Sequence, residues 1–350
     1  MDRSQAIGWF DGIGLADRPL VGGKGGSLGE LTRAGIAVPP GFVVATPAFD
    51  QFIAELEVHG PVRAEIEALG ADDLAMLGEV TSRIRARVEG EPLPASLREA
   101  IAGAYATLCD GGAVPVAIRS SATTEDAEDA SFAGLQDTYL WVTSLDDALA
   151  KIRSCWASLY SVESVGYRRR RGLPEAGVSM AVVVQRMVDA RTAGVMFTRS
   201  PLTGDRSVMT IEGAWGLGSA VVGGEVTPDR WVVGKITGDI TVRDISDKHV
   251  EHRPRAGGGV DEAATPEDRR RQPCLSDDEL QALRAVGRRV EKHYGRPQDI
   301  EWAIERGSNA LLLLQSRPET VWSSREAAPV AKAAVDPHAH VMNIFGGRRS

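Results

Sequence analysis

Cysteine is scarce: Cys109, Cys155 and Cys274 are the three in 350 residues, and no CxxC pair occurs. That argues against a disulfide framework and a thiolate zinc site, and it suits a reducing cytoplasm. Long apolar runs are missing too, none approaching the roughly 18 residues that a membrane span needs. The start, MDRSQAIGWFDG, has no hydrophobic region of the secretory kind, so a cytoplasmic protein is expected. Positive charge is not in excess, since 40 Lys and Arg stand against 48 Asp and Glu for a net charge of -8. A nucleic-acid surface is therefore not expected as the main business, although local basic patches can still hold phosphate. Two nucleotide fingerprints also fail. GxxxxGK followed by Ser or Thr is absent, and both glycine clusters, around Gly23 and Gly216, miss the last glycine of GxGxxG. What remains is an ordinary soluble composition, 43% hydrophobic and 25% charged. The length suits two or three lobes.

The densest chemistry lies in DIEWAIERGSNALLLLQSRPET, residues 299 to 320. Two apolar runs flank the turn-rich Arg306-Gly307-Ser308-Asn309, which predicts a β-hairpin. Ile300, Trp302 and Ile304 alternate with Glu301, Ala303 and Glu305, so Glu301 belongs to one face. On the second strand Gln315 and Arg317 share a face with Leu313. Closure by a three-residue loop sets Glu301 opposite Gln315. A carboxylate, an amide oxygen and a guanidinium then meet at one end of a two-strand platform. That suits Mg2+ carrying phosphate oxygens, or equally an exposed polar hairpin face.

Earlier in the chain, Gly22, Gly23, Gly25 and Gly26 surround Lys24, and SLGELTRAG continues with helical spacing to a stop at Gly35. The segment fits either a phosphate loop with a mobile positive charge or a plain glycine turn into a helix. AVPPGFVV reads as a turn into a short buried strand, and residues 47 to 108 as helical scaffold. A strand ending at Arg119 is followed by Ser120, Ser121, Thr123 and Thr124, a planar fork beside hydroxyl donors. The glycine-containing SFAGLQDTYLWV comes next. The run Arg168-Arg169-Arg170-Arg171 is expected to be a solvated helix end. VSMAVVVQRMV and AGVMFTRSPLTGD predict two strands, with Gln185 and Met187 closing the first, where an adenine or a core methionine would both fit. Glu212 follows another strand. Residues 251 to 273, rich in charge, Pro and Gly, suggest a mobile surface insertion. LSDDELQALRAVGRRVEKHYG is an amphipathic helix with Ser276 as N-cap and Glu279 completing the box. The Ala/Pro-rich segment after residue 325, with His338 and His340, shows no core pattern.

GGKGGSLGEL, AIRSSATTED, SFAGLQDTYL, GVMFTRSP, GAWGLGSAVVGGEVTPD, QDIEWAI and LLLLQSRPET, in this order, resemble the ATP-binding N-terminal domain of the phosphoenolpyruvate synthase, pyruvate phosphate dikinase and rifampin phosphotransferase family. The likeness runs from about Ile7 to Thr320. It implies an α/β (α+β) ATP-grasp fold, two lobes with the nucleotide cleft between them. The lobes would be residues 1–190 and 191–325, with 326–350 as a tail. By position the resemblance makes Lys24, Arg119 and Arg317 phosphate-binding catalytic residues. It makes Gly134, Gln136, Asp137 and Thr138 part of a loop over the phosphates, Gln185 and Met187 neighbours of adenine, and Glu212 a cleft carboxylate. Glu301 and Gln315 become ligands of Mg2+, with ATP as the nucleotide. The implied chemistry passes the β-phosphoryl of ATP to a histidine, yielding AMP and phosphate. The family's histidine lies in a segment resembling GGxxSHA, which does not occur here. His59, His249, His252, His293, His338 and His340 all lack that context. The chain is thus similar to the ATP-binding subunit of a split aryl phosphate synthase such as phenylphosphate synthase. In that arrangement a separate subunit carries the histidine and the site for a small aromatic hydroxyl compound.

Overall fold

GFVV, VAIRSSA and MAVVVQR place β-branched or small residues at nearly every position, so neither face of such a run tolerates water. In the computed structural model, which describes residues 1–2, 4–69, 74–112, 114–123 and 137–323, they are strands buried on both sides. With β1 (Ile7–Trp9), β2 (Gly41–Val44), β3 (Val116–Ala122), β4 (Thr138–Val142) and β5 (Met180–Arg186), they form a five-stranded sheet ordered β1-β2-β5-β3-β4. Every neighbouring pair in it is antiparallel. One face packs on α2 (Thr46–Val58), α3 (Arg63–Glu67), α4 (Leu74–Gly90), α5 (Ala95–Leu108), α6 (Leu145–Ser158) and α7 (Val162–Arg170), and α1 (Arg18–Arg33) lies on the other. Trp156 sits at the middle of that core, against Phe49 and Phe52.

The opposite face, with Val43, Ala181 and Val183, lies on α1 through Val21 and Leu28. Three residues along the same helix, Leu31 enters a different core. That core belongs to a six-stranded antiparallel sheet built from β6 (Ala190–Phe197), β7 (Val208–Trp215), β8 (Asp229–Gly234), β9 (Ile240–Asp244), β12 (Gln298–Glu305) and β13 (Leu311–Pro318). Its order is β13-β12-β6-β7-β8-β9. Between these strands run α8 (Ser219–Val222), β10 (Val250–Pro254), β11 (Val260–Ala264), α9 (Glu267–Arg270) and α10 (Asp277–Tyr294). The capping box predicted for α10 is present, Ser276 Oγ accepting from Glu279 N and Ser276 N donating to Glu279 Oε2. Gly295, at φ 68°, ends the helix. Leu280, Leu283 and Val290 of α10 cover Trp231, Trp302, Met196 and Met209. The first helix is hydrogen-bonded to the second sheet as well, Ser27 Oγ donating to the Ser316 carbonyl at 2.5 Å and the Ala37 carbonyl accepting from Leu313 N.

Two sequence expectations are corrected. Residues 251 to 273 are not a surface insertion: they contain the β10–β11 hairpin and α9, and Glu251 is fully buried. Beside it the Lys248 Nζ meets Asp229 Oδ1 at 2.5 Å with both side chains out of contact with water. Charged residues look like solvent-facing sequence, but here each finds a partner in the fold, Lys248 at Asp229 of β8 and Glu251 at Arg253 and Arg269. The arginine run fails as a solvated helix end at its first member. Arg168 is only 2% exposed, its Nε and Nη2 lying on the two carboxylate oxygens of Glu175, and its Nη1 donating to the Leu159 carbonyl and Ser164 Oγ. Among the described residues no helix is long and apolar enough to cross a membrane.

Candidate functional site

The β12–β13 hairpin closes on four residues rather than three, with Glu305 N donating to the Ala310 carbonyl and Asn309 in the left-handed region at φ 55°. Taken alone, that loop would put Glu301 opposite Leu314. A bulge between Glu301 and Trp302 supplies the missing offset: Trp302 faces Leu313, Glu301 faces Gln315, and Leu314 is the extra residue. The expected pairing is therefore present for a different reason.

Residues directly opposite one another share a face, so the register lays out the sheet's cleft side in rows. One row runs Arg230, Glu212, Val195, Glu301, Gln315 across β8, β7, β6, β12 and β13. The next holds Thr210, Phe197, Asp299 and Arg317. Glu212 and Glu301 are thus two strands, about 10 Å, apart. Burial pushes the Glu212 carboxyl above its ordinary range, against the pull of Arg230. In the second row Arg317 Nε lies 3.4 Å from Asp299 Oδ2, with the arginine exposed and the carboxylate mostly covered.

Arg119 crosses to this platform from β3 of the other sheet. Its Nη2 donates to Glu301 Oε2 at 2.9 Å and Gln315 Oε1 at 2.5 Å, and its Nη1 donates to the carbonyl of the bulge residue Leu314 at 3.1 Å. The guanidinium Nε is buried with no hydrogen-bond partner, an unmet donor that a phosphate oxygen would satisfy. A carboxylate and an amide oxygen already converge on one cationic atom, which is the donor set that a hard divalent cation takes together with phosphate. The residues present fit Mg2+ carrying a nucleotide.

Lys24 sits on the same junction. The helix α1 is broken at Gly22, φ 69° and ψ 179°. Ser121 Oγ, two residues along β3 from Arg119, donates to the Val21 carbonyl and accepts from Gly25 N. The Lys24 charge acts on the Cys155 thiol, which burial pushes far up and Asp137 raises further. A Cβ on Gly22 would lie 2.2 Å from the Ser121 carbonyl oxygen. Gly22→Ala is therefore expected to cost about 1–3 kcal/mol from the backbone conformation alone, and more as β3 is displaced. Urea unfolding and ATP titration should both register the loss.

The remaining expected residues divide. Asp137 immediately precedes β4 and Thr138 begins it, with the Asp137 carbonyl accepting from both N and Oγ of Ser120, and Thr138 opposite Arg119. Gly134 and Gln136 lie outside the described residues. Gln185 is buried on the sheet face that carries Arg119, its Nε2 donating to the Pro39 carbonyl at 3.2 Å. Met187 donates its amide to the Pro115 carbonyl, so that group is already spent. Its side chain instead joins an apolar floor between the two sheets with Val188, Ala193, Ala303, Leu312 and Leu314. A flat, apolar nucleobase suits such a floor.

Sequence reasoning missed Asp299, although its i, i+2 spacing from Glu301 was the signal. Burial pushes its carboxyl up to about 6, against the pull of Arg317. The sign follows from linkage: the native group holds its proton between about pH 4 and 6 where the unfolded chain has released it, so stability falls as pH rises through that window. Asp299→Asn should flatten this slope, read as the difference between wild-type and variant unfolding free energies across the range. An unchanged slope would place the titration elsewhere. The Leu314 carbonyl was also missed, and no sequence signal announces a bulge.

Residues 18–336 match the family described as pyruvate phosphate dikinase, AMP/ATP-binding domain, and the chain belongs to that family. It is 43% identical over 317 residues to a probable phosphoenolpyruvate synthase of Methanothermobacter thermautotrophicus, covering 90% of this chain and 46% of the relative. Identity to the phosphoenolpyruvate synthase of Pyrococcus furiosus is 38% over 368 residues, covering 93% and 45%. With a rifampicin phosphotransferase of a Streptomyces species it is 42% over 311 residues, covering 89% and 35%. The chain spans less than half the length of these relatives. A solved D-alanyl-alanine synthetase A from Vibrio cholerae aligns over 69% of this chain and 55% of its own at 12% identity, with a TM-score of 0.26, a likeness too slight to bear on the fold.

Proposed function

We propose that this chain is the nucleotide-binding part of a dikinase-type phosphotransferase, with residues 1–190 and 191–325 as the two lobes of an ATP-grasp cleft. It would bind Mg-ATP and pass the β-phosphoryl to a histidine on a partner subunit. The observation that carries this is the meeting of Arg119 from one sheet with Glu301 and Gln315 from the other. A single polyphosphate laid there would touch both sheets at once.

Bound Mg2+ would neutralise polyphosphate charge. The chain's own residues do the rest by position. Lys24, Arg119 and Arg317 offer cations to the phosphate oxygens, and the floor of Met187, Leu312 and Leu314 orients the base. Phosphoryl transfer asks chiefly for such positioning and charge stabilisation. None of the described histidines touches the constellation: His252 is engaged with Ser219 and Glu225, His293 with Glu30. The receiving nitrogen is read as lying outside the described residues, on a partner subunit. It forms a bond to the β-phosphorus as the bond to the AMP oxygen breaks, and water completes the release of the γ-phosphate.

The acceptor beyond that histidine is read as a small hydroxyl compound, aromatic in the split aryl phosphate synthases that the motifs resemble. The identity to relatives named phosphoenolpyruvate synthase and rifampicin phosphotransferase supports a second reading, in which the chain serves one of those activities. Incubating β-labelled ATP and Mg2+ with this chain and a histidine-bearing candidate partner should label a partner histidine and release AMP. ADP as the sole product would overturn the dikinase assignment. Tight ATP binding with neither product would leave a nucleotide sensor.

A further inference from the structure

We infer that a second cation site lies just beyond the end of β7, where the β10–β11 hairpin bridges to Gly216 and Leu217, formed by His252, Glu225 and Glu262, and that it takes a divalent transition metal of the Zn2+ type. His252 on β10 and Glu262 on β11 stand directly opposite in the hairpin register, which puts both side chains on one face. Glu225 comes from the loop after α8. One ligand atom from each of the three residues lies within 4.8 Å of the others.

Three features distinguish this group from an ordinary polar surface. The imidazole is oriented at both nitrogens, Nδ1 lying 2.7 Å from Ser219 Oγ and Nε2 2.6 Å from Glu225 Oε2. Proteins fix the ring of a metal-binding histidine through a hydrogen bond at its far nitrogen, and the Ser219 hydroxyl takes that place here. Its backbone is held as well, since the His252 carbonyl accepts from Leu217 N and abuts Gly216 at φ 76°. Most telling is the charge balance. Nearby acids are matched by arginine: Asp247 has Arg270 and Arg271, and Glu251 has Arg253 and Arg269. Among the described residues Glu225 pairs with no cation but His252, and Glu262 with none. Two carboxylates gathered within 4.8 Å about one imidazole repel each other unless a cation stands among them.

The donor chemistry selects the ion. One imidazole nitrogen and two carboxylate oxygens, with water completing the shell, suit Zn2+, while Mg2+ and Ca2+ prefer oxygen throughout. The metal would tie the Gly216–Glu225 turn to the β10–β11 hairpin, where Leu217 of the turn and Val260 of the hairpin border the apolar floor around Met187.

The test uses tag-free, chelator-treated, nucleotide-free protein titrated calorimetrically with Zn2+, and with Co2+ for its absorption bands. Stoichiometric Zn2+ binding is expected, weakened at least about tenfold by Glu262→Gln and by His252→Gln, and unchanged by Glu301→Gln. Glu262 is an exposed strand residue, so its variant should fold even if His252→Gln does not, and circular dichroism checks both. Binding that survives Glu262→Gln unaltered, that falls only with Glu301→Gln, or that is absent from the wild type overturns the site.

Discussion

Glu301→Ala is expected to reduce AMP formation by about 100- to 1,000-fold, on the scale seen when one pre-positioned charge-stabilising group is removed from an active site. Its unfolding midpoint in urea should move little. The side chain is half-buried on the cleft face, while Ile300, Trp302 and Ile304 on the other face make the core contacts of the strand. The substitution also releases Arg119 Nη2 from one of its two side-chain acceptors. A secondary rise in phosphate mobility is expected to add to the loss. The measurement is AMP release with saturating partner and Mg-ATP. Activity within a few-fold of wild type would remove Glu301 from the cation site and leave it as an anchor for Arg119 alone.

The largest stability effect is expected at Arg168. Arg168→Met leaves Glu175, 3% exposed, with a buried charge and no guanidinium. Breaking such a pair from one side costs about 3–5 kcal/mol. The double variant Arg168→Met, Glu175→Gln should recover most of that loss, because the uncompensated charge is what destabilises and the replaced pair need not. Equilibrium urea unfolding of the two single variants and the double variant closes the cycle. A double variant as unstable as Arg168→Met would show that the bonds from Arg168 to the Leu159 carbonyl and Ser164 matter more than the charge balance.

Much of the site was legible before any coordinates. Period two alone put Glu301 on the opposite face from Trp302 and joined Gln315 to Arg317, because a strand has no other way to dispose its side chains. Helix α10 was legible from its amphipathic spacing and its first turn, through Ser276 and Glu279. The bulge was not. A four-residue turn and one extra leucine cancel in their effect on Glu301 and Gln315, and in ALLLLQS the leucine that is displaced looks like its neighbours. The buried ion pairs were hidden for another reason. Lys248 and Asp229 are 19 residues apart, Arg168 and Glu175 seven. A charged residue carries no local mark that says whether water or a distant partner will satisfy it. The apolar floor under Met187 belongs to the same class, since it is assembled from β6, β12, β13 and the chain beyond β5.

Helix α1 hands Leu28 to one core and Leu31 to the other, and its Ser27 to the β13 backbone. A cut between β5 and β6 would separate the sheets as sequence but not as physical units. The C-terminal fragment would be left with an uncovered apolar trough, and the N-terminal fragment with a helix whose outer ridge has nothing to rest on. The two sheets share ownership of one secondary-structure element, and that element begins with the glycine loop that carries Lys24. A phosphate held at Lys24 would thereby load both cores through one helix.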